Sequence, residues 1–258
     1  MTTDGHAALR AAARTALACL DLTSLNDADT AAEIEALCRR AQTPHGPVAA
    51  VCVWPRFVAQ ARAALPASIK VAAVANFPDG RLDLPRALAD VQAIAQAGGD
   101  EVDVVLPYRA LLAGKTTDVA EFLSEVRFAS RPLTLKVIIE SGELGSSDRI
   151  AQATRLALAA DADFVKTSTG KTAVGATPAA AATMLKEIAA SGLSAAGFKA
   201  SGGVRSVADA AGYIAQVEAA LGAAAVNPQR LRFGASGLLT DIESVLSGAE
   251  SVATTSAY

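Results

Sequence analysis

The sequence is poor in the residue types that build most metal sites and disulfide frameworks. Its two histidines, His6 and His45, are too few for a site that depends on several histidine ligands. Its three cysteines, Cys19, Cys38 and Cys52, are odd in number and lack CxxC spacing. We therefore expect no bound metal and no disulfide framework, and the cysteine usage indicates a reducing, cytoplasmic setting.

The chain also lacks a strong excess of either charge. Its formal net charge is −3, and its lysines and arginines form no cluster, which disfavours a nucleic-acid partner or an anionic membrane surface. Asp4, Arg10 and Arg14 interrupt the N-terminal residues, which are therefore unlike a signal peptide. No stretch long enough to span a bilayer is free of charge, so no membrane partner is expected.

What the chain has instead is a hydrophobic content of 52% over 258 residues, enough for one large core. Short apolar runs alternate with segments of helical period from end to end. This alternation predicts an α/β fold, a single TIM-type (β/α)8 barrel with an N-terminal helical extension, and an open doubly wound sheet is the alternative. We assign residues 1–258 to one catalytic domain, with a short flexible C-terminal tail at about 249–258. The eight predicted strands are Cys19–Leu22, Val48–Val53, Ile69–Ala75, Val102–Leu106, Leu133–Ile139, Asp163–Thr167, Ala195–Lys199 and Leu231–Phe233.

Several helix starts can be predicted from capping patterns. Thr177 followed by Pro178 is typical of an N-cap and a first helical residue. Ser206 with Asp209 three residues later resembles a capping box. For the helix after the first strand, Asn26 or Asp27 is the predicted cap.

Alternation along the strands predicts which side chains enter the barrel. Successive strand residues point to opposite faces, so Val165 and Phe198 leave the lysines that follow them on the other side. The continuous apolar face must meet the helices. The opposite face then points into the barrel, and it bears Asp21, Asp103, Lys136, Lys166 and Lys199.

Charged groups inside a barrel favour chemistry over structure. Burying an ionised group costs several kcal/mol unless it is paired or its pKa shifts. A buried ion-pair network that only satisfies itself, or a lysine that reaches the rim, is the structural alternative. Lys166 and Lys199 are predicted on neighbouring strands, where each can lower the other's pKa. A lysine needs a drop of about 3 units, roughly 4 kcal/mol, to attack a carbonyl at neutral pH. Which lysine attacks stays open at this point.

Glycine-rich turns predict the second feature of the site. Gly202 and Gly203 follow the predicted seventh strand, and residues 234–237 (Gly-Ala-Ser-Gly) follow the eighth. Barrels commonly bind phosphate with these two loops, where glycines let backbone N–H groups approach an anion. Ser236 can donate a further hydrogen bond, and Gly170, Lys171 and Arg205 lie where they can add donors and positive charge. Ordinary βα turns are the alternative, since glycine is common there.

The motifs around these residues resemble those of the deoxyribose-phosphate aldolase family, and the resemblance covers nearly the whole chain in order. It implies a (β/α)8 barrel and a class I aldolase that needs no cofactor. Such enzymes reversibly cleave 2-deoxy-D-ribose 5-phosphate to D-glyceraldehyde 3-phosphate and acetaldehyde, in deoxyribonucleoside catabolism. The strings concerned are LDLTSLND (20–27), ANFPDG (75–80), EVDVVLPYRALLAG (101–114), LKVIIESGEL (135–144), DFVKTSTGK (163–171), GFKASGGVR (197–205) and RFGASGLL (232–239).

Residue by residue, the resemblance implies a division of roles. Lys166 matches the Schiff-base nucleophile, Lys199 the lysine that lowers its pKa, and Asp103 the proton-relay carboxylate, while Tyr258 matches a C-terminal proton shuttle. It also implies a homodimer or a monomer. The remaining matched or nearby positions are expected around the substrate's hydroxyls and phosphate, and they are Asp21, Thr23, Lys136, Gly170, Lys171, Gly202, Gly203, Arg205, Ser236 and Gly237.

Two other functions are compatible with the same residues. One is a different lysine Schiff-base aldolase, of the transaldolase or keto-acid type, and the other is a non-catalytic barrel that binds sugar phosphates. A panel of aldehyde and ketone donors separates the first from the leading interpretation, and removal of Lys166 separates the second.

Overall fold

The computed structural model describes residues 3–248, which contain a closed barrel of eight parallel strands. Each strand is short and buried, because its inward side chains fill the barrel and its outward side chains meet helices. The fold class predicted from the alternation is confirmed. The barrel strands are β1 (Leu20–Thr23), β2 (Ala50–Val53), β3 (Lys70–Ala75), β4 (Glu101–Val105), β5 (Thr134–Ile138), β6 (Phe164–Lys166), β7 (Gly197–Ser201) and β8 (Leu231–Ala235).

Helices surround the barrel, and one of them precedes the first strand, as predicted. Short 3-10 turns at Pro55–Phe57 and Ala223–Ala225 complete the helical structure of the described residues. The helices are α1 (Thr3–Ala18), α2 (Ala31–Arg40), α3 (Val58–Ala64), α4 (Leu84–Gln96), α5 (Tyr108–Leu112), α6 (Thr116–Ser130), α7 (Ser141–Leu144), α8 (Ser147–Ala159), α9 (Pro178–Ala190), α10 (Val207–Leu221) and α11 (Leu238–Ser247). Within residues 3–248, none of them is long and apolar enough to cross a membrane.

Closure of the barrel brings the two ends of the chain together. The first strand pairs with β2 on one side and with β8 on the other, so Asp21 lies opposite both Ala50 and Gly234. Lys166 and Lys199 are aligned partners on β6 and β7, and β7 in turn pairs with β8. Residues that are distant in sequence therefore face one interior.

The predicted orientation of the strand faces is confirmed at β7. Phe198 points outward and lies 6.4 Å, between ring centroids, from Tyr213 of α10. Lys199, the next residue, points inward and is fully buried among charged groups. The apolar face meets the helices because water is excluded there and no polar partner is available.

Four details differ from the sequence-based expectation. The strand β7 lies two residues later than predicted, which places Lys199 at its centre. The eighth strand continues through Gly234 to Ala235. Glycine permits this close pairing, because a Cβ at Gly234 would lie 3.0 Å from Lys199 Cε and 2.8 Å from Ser201 Oγ. A two-residue hairpin, Gln42–Thr43 with Gly46–Pro47, was not predicted.

The fourth difference is the start of α2. The predictions of Asn26 and Asp27 as its cap are wrong, since Thr30 is the N-cap and forms a capping box with Glu33. The Asn26 side chain instead donates to Asp29 Oδ1 at 3.1 Å. The caps at Thr177 and Ser206 are confirmed, the latter with its full capping box.

Candidate active site

Asp103, at the centre of β4, is the point on which three lysines converge. Its Oδ2 accepts hydrogen bonds from Lys166 Nζ and Lys199 Nζ, each at 2.7 Å, and its Oδ1 accepts from Lys136 Nζ at 2.8 Å. These four side chains are at most 2% exposed. The structure therefore brings together four of the five residues that strand alternation placed on one face.

A second group of charges surrounds Asp21, on β1. Its Oδ2 pairs with Lys199 Nζ at 2.5 Å and with Lys136 Nζ at 3.3 Å, while its Oδ1 pairs with Arg232 at 2.6 Å. Arg232, on β8, also pairs with Glu101 at 2.9 Å. Lys136 closes the network through its 2.5 Å contact with Glu101.

Glu101 and Arg232 are site residues that the sequence reasoning missed. Both were within reach of the same alternation argument, because Glu101 shares a strand face with Asp103, and Arg232 lies between the outward residues Leu231 and Phe233. Each lies nearer the start of its strand than Lys166 and Lys199 do, away from the end where barrel active sites lie. Both are less than 7% exposed, so they belong to the interior.

Lys166 is the least compensated cation of this cluster. Lys136 contacts three carboxylates, and Lys199 contacts two. Among the described residues Lys166 pairs only with Asp103, and it shares that oxygen with Lys199. Burial lowers the pKa of Lys166, and the charge of Lys199 lowers it further, against the opposing effect of Asp103. Of the three lysines in the interior, Lys166 therefore loses its proton most readily.

The other basic groups are held in their charged forms. Burial alone would lower the pKa of Lys199, but the carboxylates of Asp103 and Asp21 outweigh it and raise that pKa. Burial also opposes the charge on Lys136, whose pKa is nonetheless raised well above its ordinary value by its three carboxylate partners. The same lysines hold the pKa of Asp103 well below its usual range, although burial acts in the opposite direction. Their physical division of roles comes from the number of partners that each has.

Cys52, on β2, also borders this cluster. Its thiol lies 4.0 Å from Asp103 Oδ2 and is fully buried. Burial and the charge of Asp103 raise the pKa of Cys52 to about 11, so the thiol is protonated at neutral pH. The structure thus places this cysteine beside the lysine pair in a weakly nucleophilic form.

Above the lysines, the loops after β6 and β7 pack directly against each other. A Cβ at Gly202 would lie 3.1 Å from Gly175 Cα and 3.4 Å from Gly170 Cα, and Gly202 and Gly203 both have left-handed backbones, with φ of +80° and +84°. Only glycine combines this backbone with so close an approach. Thr167, which follows Lys166, ties the loops together by donating to the Ser201 carbonyl at 3.0 Å.

The other predicted substrate-binding residues line the same end of the barrel. Lys171 and Arg205 are exposed on the loops after β6 and β7. Ser236 and Gly237 precede α11. Gly237 is the N-cap of this helix, and as a glycine it forms no side-chain capping hydrogen bond with the first N–H groups. Backbone N–H groups at such a helix start suit an anion.

Two predicted residues stand apart from this description. Thr23 is half-buried at the end of β1, and its hydroxyl donates to the Asp21 carbonyl at 2.8 Å. The predicted proton shuttle Tyr258 and the predicted tail at 249–258 lie outside the described residues, so both stay predictions.

Glu140 is a further buried residue that the sequence reasoning did not single out. It follows β5 with a left-handed backbone, φ of +53°, and is fully buried. Its carboxylate accepts from the Thr169 hydroxyl at 2.6 Å, from the Thr169 N–H at 3.3 Å and from the Thr172 hydroxyl at 3.1 Å. Thr169 Oγ1 in turn accepts from the Lys171 N–H at 3.0 Å. Glu140 therefore clamps the loop that bears Lys171.

The described residues contain no group of three or more His, Cys, Asp or Glu side chains arranged to hold a metal ion. The arrangement offers instead a buried amine, a neighbouring ammonium group, and carboxylates that can exchange protons with both. An amine in these surroundings can attack a carbonyl carbon and form an imine.

Comparison with known proteins agrees with this chemistry. Residues 15–241 match the family model described as DeoC/LacD family aldolase. A deoxyribose-phosphate aldolase of Agrobacterium fabrum (strain C58) is 46% identical over 252 residues, which cover 96% of this chain and 97% of the relative.

Solved structures show the same fold. A crystal structure from Toxoplasma gondii ME49, of a protein provisionally classed as a deoxyribose-phosphate aldolase, superposes with a TM-score of 0.86 at 25% identity and covers 96% of this chain and 99% of that one. The deoxyribose phosphate aldolase of Aeropyrum pernix, described as a unique tetramer, superposes with a TM-score of 0.73 at 23% identity over 96% of this chain and 100% of its own. The family match over most of the chain, together with the buried lysine pair, establishes that this chain belongs to the DeoC/LacD family of aldolases.

Proposed function

We propose that this protein is a class I aldolase that reversibly cleaves 2-deoxy-D-ribose 5-phosphate to D-glyceraldehyde 3-phosphate and acetaldehyde. The observation that supports it most is Lys166 itself: a buried amine with one shared carboxylate partner, 2.7 Å from Asp103 and beside the charged Lys199. The 46% identity with the Agrobacterium fabrum deoxyribose-phosphate aldolase supports the choice of substrate.

In the proposed reaction, the Lys166 amine attacks the C1 aldehyde of the open-chain sugar and loses water to form an iminium ion. A base removes the proton of the C3 hydroxyl, and the C2–C3 bond breaks to release glyceraldehyde 3-phosphate. The bond's electron pair enters an enamine at C2. Protonation at C2 and hydrolysis of the imine then release acetaldehyde and restore the amine.

Asp103 and Lys199 are the groups that we propose to move protons in these steps. They are hydrogen-bonded to each other at 2.7 Å, and Asp103 also contacts Lys166, so a proton can pass between the three without entering bulk water. Asp21 keeps Lys199 charged through its 2.5 Å contact. Lys136, fully enclosed by carboxylates, is proposed to act on the lysine pair rather than on the substrate.

The phosphate is proposed to bind where the loops after β6, β7 and β8 meet. Backbone N–H groups of Gly170, Gly202 and Gly203 and the start of α11 at Gly237 would donate to its oxygens. The positive charges of Lys171 and Arg205 and the hydroxyl of Ser236 lie at this rim. Thr23 and Asp21, at the end of β1, are proposed to face the sugar hydroxyls.

Borohydride reduction in the presence of acetaldehyde tests the nucleophile. We expect a reduced two-carbon adduct on Lys166 alone, identified by peptide mass spectrometry, because the other lysines of the interior are held in their charged forms. The same preparation should cleave 2-deoxyribose 5-phosphate in a coupled assay for glyceraldehyde 3-phosphate. An adduct on a different lysine, or cleavage without any adduct, would contradict the proposal.

The Glu140 clamp leads to a separate prediction about phosphate binding. Glu140→Gln replaces one acceptor oxygen with a donor, so the loop bearing Lys171 loses part of its support, at a cost of about 1–3 kcal/mol in stability. We expect KM for 2-deoxyribose 5-phosphate to rise about five- to tenfold, with kcat within about threefold of the unmodified enzyme. Unphosphorylated 2-deoxyribose should show little change in KM, since Lys171 is proposed to contact the phosphate.

Glu143→Gln is the matched control for the clamp. Glu143 is an exposed residue of α7, three positions further along. Its replacement should leave both KM values unchanged. If Glu140→Gln raised KM equally for the phosphorylated and unphosphorylated sugars, the clamp would act on the lysines and not on the phosphate.

Other attributes stay proposals. The partners proposed for this chain are the phosphorylated sugar and acetaldehyde, with a homodimer as the proposed assembly and the cytoplasm as the proposed location. The Aeropyrum pernix structure is a tetramer, and at 23% identity it supports the fold alone.

A further inference from the structure

Glu101 and Arg232 form an ion pair near the starts of β4 and β8. Neither residue has a direct role in the proposed reaction. Arg232 donates to Glu101 Oε1 at 2.9 Å and to Oε2 at 3.1 Å, and the two side chains are 6% and 2% exposed. Each is linked to the lysine pair only through other residues: Arg232 through Asp21, and Glu101 through Lys136. Within the described part of the chain, neither has an ion pair with Lys166.

The ion-paired interior has one more basic group than acidic groups. Four bases, on β5 to β8, face three carboxylates, on β1 and β4. If all seven groups were ionised, this ion-paired network would itself hold one excess positive charge far from water, which is costly. Releasing one proton from a lysine removes that charge. The four bases are Lys136, Lys166, Lys199 and Arg232, and the three carboxylates are Asp21, Glu101 and Asp103.

Partner number decides which base releases the proton. An arginine side chain is not deprotonated in proteins. The hydrogen bonds of Arg232 to Asp21 and Glu101 stabilise its charge further. Lys136 has three carboxylates around it and Lys199 has two, which leaves Lys166 with one shared oxygen. We propose that Glu101 and Arg232 are positioning residues that set the number of protons in the barrel interior, so that Lys166 is the one amine left free.

This inference rests on the proposed function, because Lys166 is its nucleophile. The titratable groups that border Lys166 or its partners come from most strands of the barrel. Those that are not among the four bases and three carboxylates are unchanged in every variant considered. These bordering groups are Cys19 and Asp21 around β1, Cys52 on β2, Glu101 and Asp103 on β4, Lys136 on β5, Glu140 after it, Lys199 on β7 and Arg232 on β8.

Two substitutions should move the acid limb of the kcat/KM profile in opposite directions. Arg232→Gln leaves three bases with three carboxylates, so Lys166 keeps its proton to a higher pH. The acid limb of this variant should move to higher pH by about 1 unit or more. A shift of 1 unit corresponds to a tenfold loss of free amine at a pH below the limb. Glu101→Gln leaves four bases with two carboxylates, so the limb should move to lower pH by a similar amount. Damage to folding alone would not shift the limb in opposite directions.

The double variant supplies the decisive comparison. Glu101→Gln with Arg232→Gln leaves three bases and two carboxylates, which restores the excess of one, so its limb should return to within about 0.3 units of the original. Arg232→Lys keeps the positive charge, so its acid limb should also lie within about 0.3 units of the original. These two variants decide the outcome even where a single variant does not fold, because the charge count requires both to retain the original limb.

The pH dependence of acetaldehyde trapping on Lys166 gives a second readout that does not depend on sugar cleavage. Its midpoint should follow the same order, Glu101→Gln lowest and Arg232→Gln highest. Unshifted limbs in folded single variants, or a double variant displaced by a unit or more, would overturn the inference. Failure of the proposed function would look different, since the unmodified enzyme would then neither trap acetaldehyde on Lys166 nor cleave the sugar.

Discussion

Lys166→Met is expected to lower kcat for cleavage of 2-deoxyribose 5-phosphate by at least about 10⁴-fold and to abolish trapping of acetaldehyde by borohydride. The loss is large because the proposed imine needs the amine itself, and no other lysine of the interior has so few carboxylate partners. Single-turnover cleavage and mass spectrometry of the reduced adduct measure the two effects.

The variant should remain folded and bind phosphate. Methionine fills nearly the same volume, and Asp103 keeps its bonds to Lys136 and Lys199. Inorganic phosphate should therefore protect this variant and the unmodified protein equally against thermal unfolding. Lys186→Met, at an exposed lysine of α9, is the matched control and should retain full activity. Residual cleavage by Lys166→Met within about tenfold of the original rate would contradict the role proposed for this lysine.

Lys199→Met is expected to lower activity at pH 7.5 by about 100-fold and to restore part of it as the pH rises. Lys199 shares Asp103 Oδ2 with Lys166, and its charge lowers the pKa of Lys166. Without it, Lys166 pairs alone with Asp103, so its pKa rises. The nucleophile is the deprotonated amine, and its fraction falls tenfold for each unit by which the pKa exceeds the pH.

The pH profile separates this effect from a loss of proton transfer. For Lys199→Met, the acid limb of kcat/KM should move about 1 to 2 units toward alkaline pH. Lys199→Arg keeps the positive charge beside Asp103, so its limb should stay near the original one even if the larger side chain slows turnover. A uniform drop at every pH in Lys199→Met would mean that Lys199 acts only as a proton donor or acceptor.

Much of the site could be predicted from local pattern. The alternation of apolar and charged residues in strands such as 101–105 and 197–201 shows which side chains share a face, because neighbouring strand residues must point in opposite directions. The same alternation places Asp103, Lys136, Lys166 and Lys199 in one interior. The turn after β7 could also be predicted from its glycines, since few other residues adopt a positive φ.

Other features depended on neighbours that local pattern does not reveal. The N-cap of α2 is Thr30 and not Asn26 or Asp27, and the side chain of Asn26 bonds to Asp29 instead. The clamp at Glu140 joins residues 29 positions apart, across two loops whose shapes depend on the packing beneath them. Gly234 pairs with Asp21 and Ser201 in the barrel, and the side chains of Lys199 and Ser201 occupy the space that a Cβ would need.

The two lysines on neighbouring strands, and their inward direction, were determined by the sequence alone, since strand alternation is a property of consecutive residues. Their different chemistry was decided by tertiary structure. Lys199 is held in its charged form by Asp21, 178 residues away, while Asp103, 63 residues away, is the one carboxylate with which Lys166 forms an ion pair among the described residues. Closure of the barrel determines how many carboxylates surround each amine, and that number sets which of them can lose its proton.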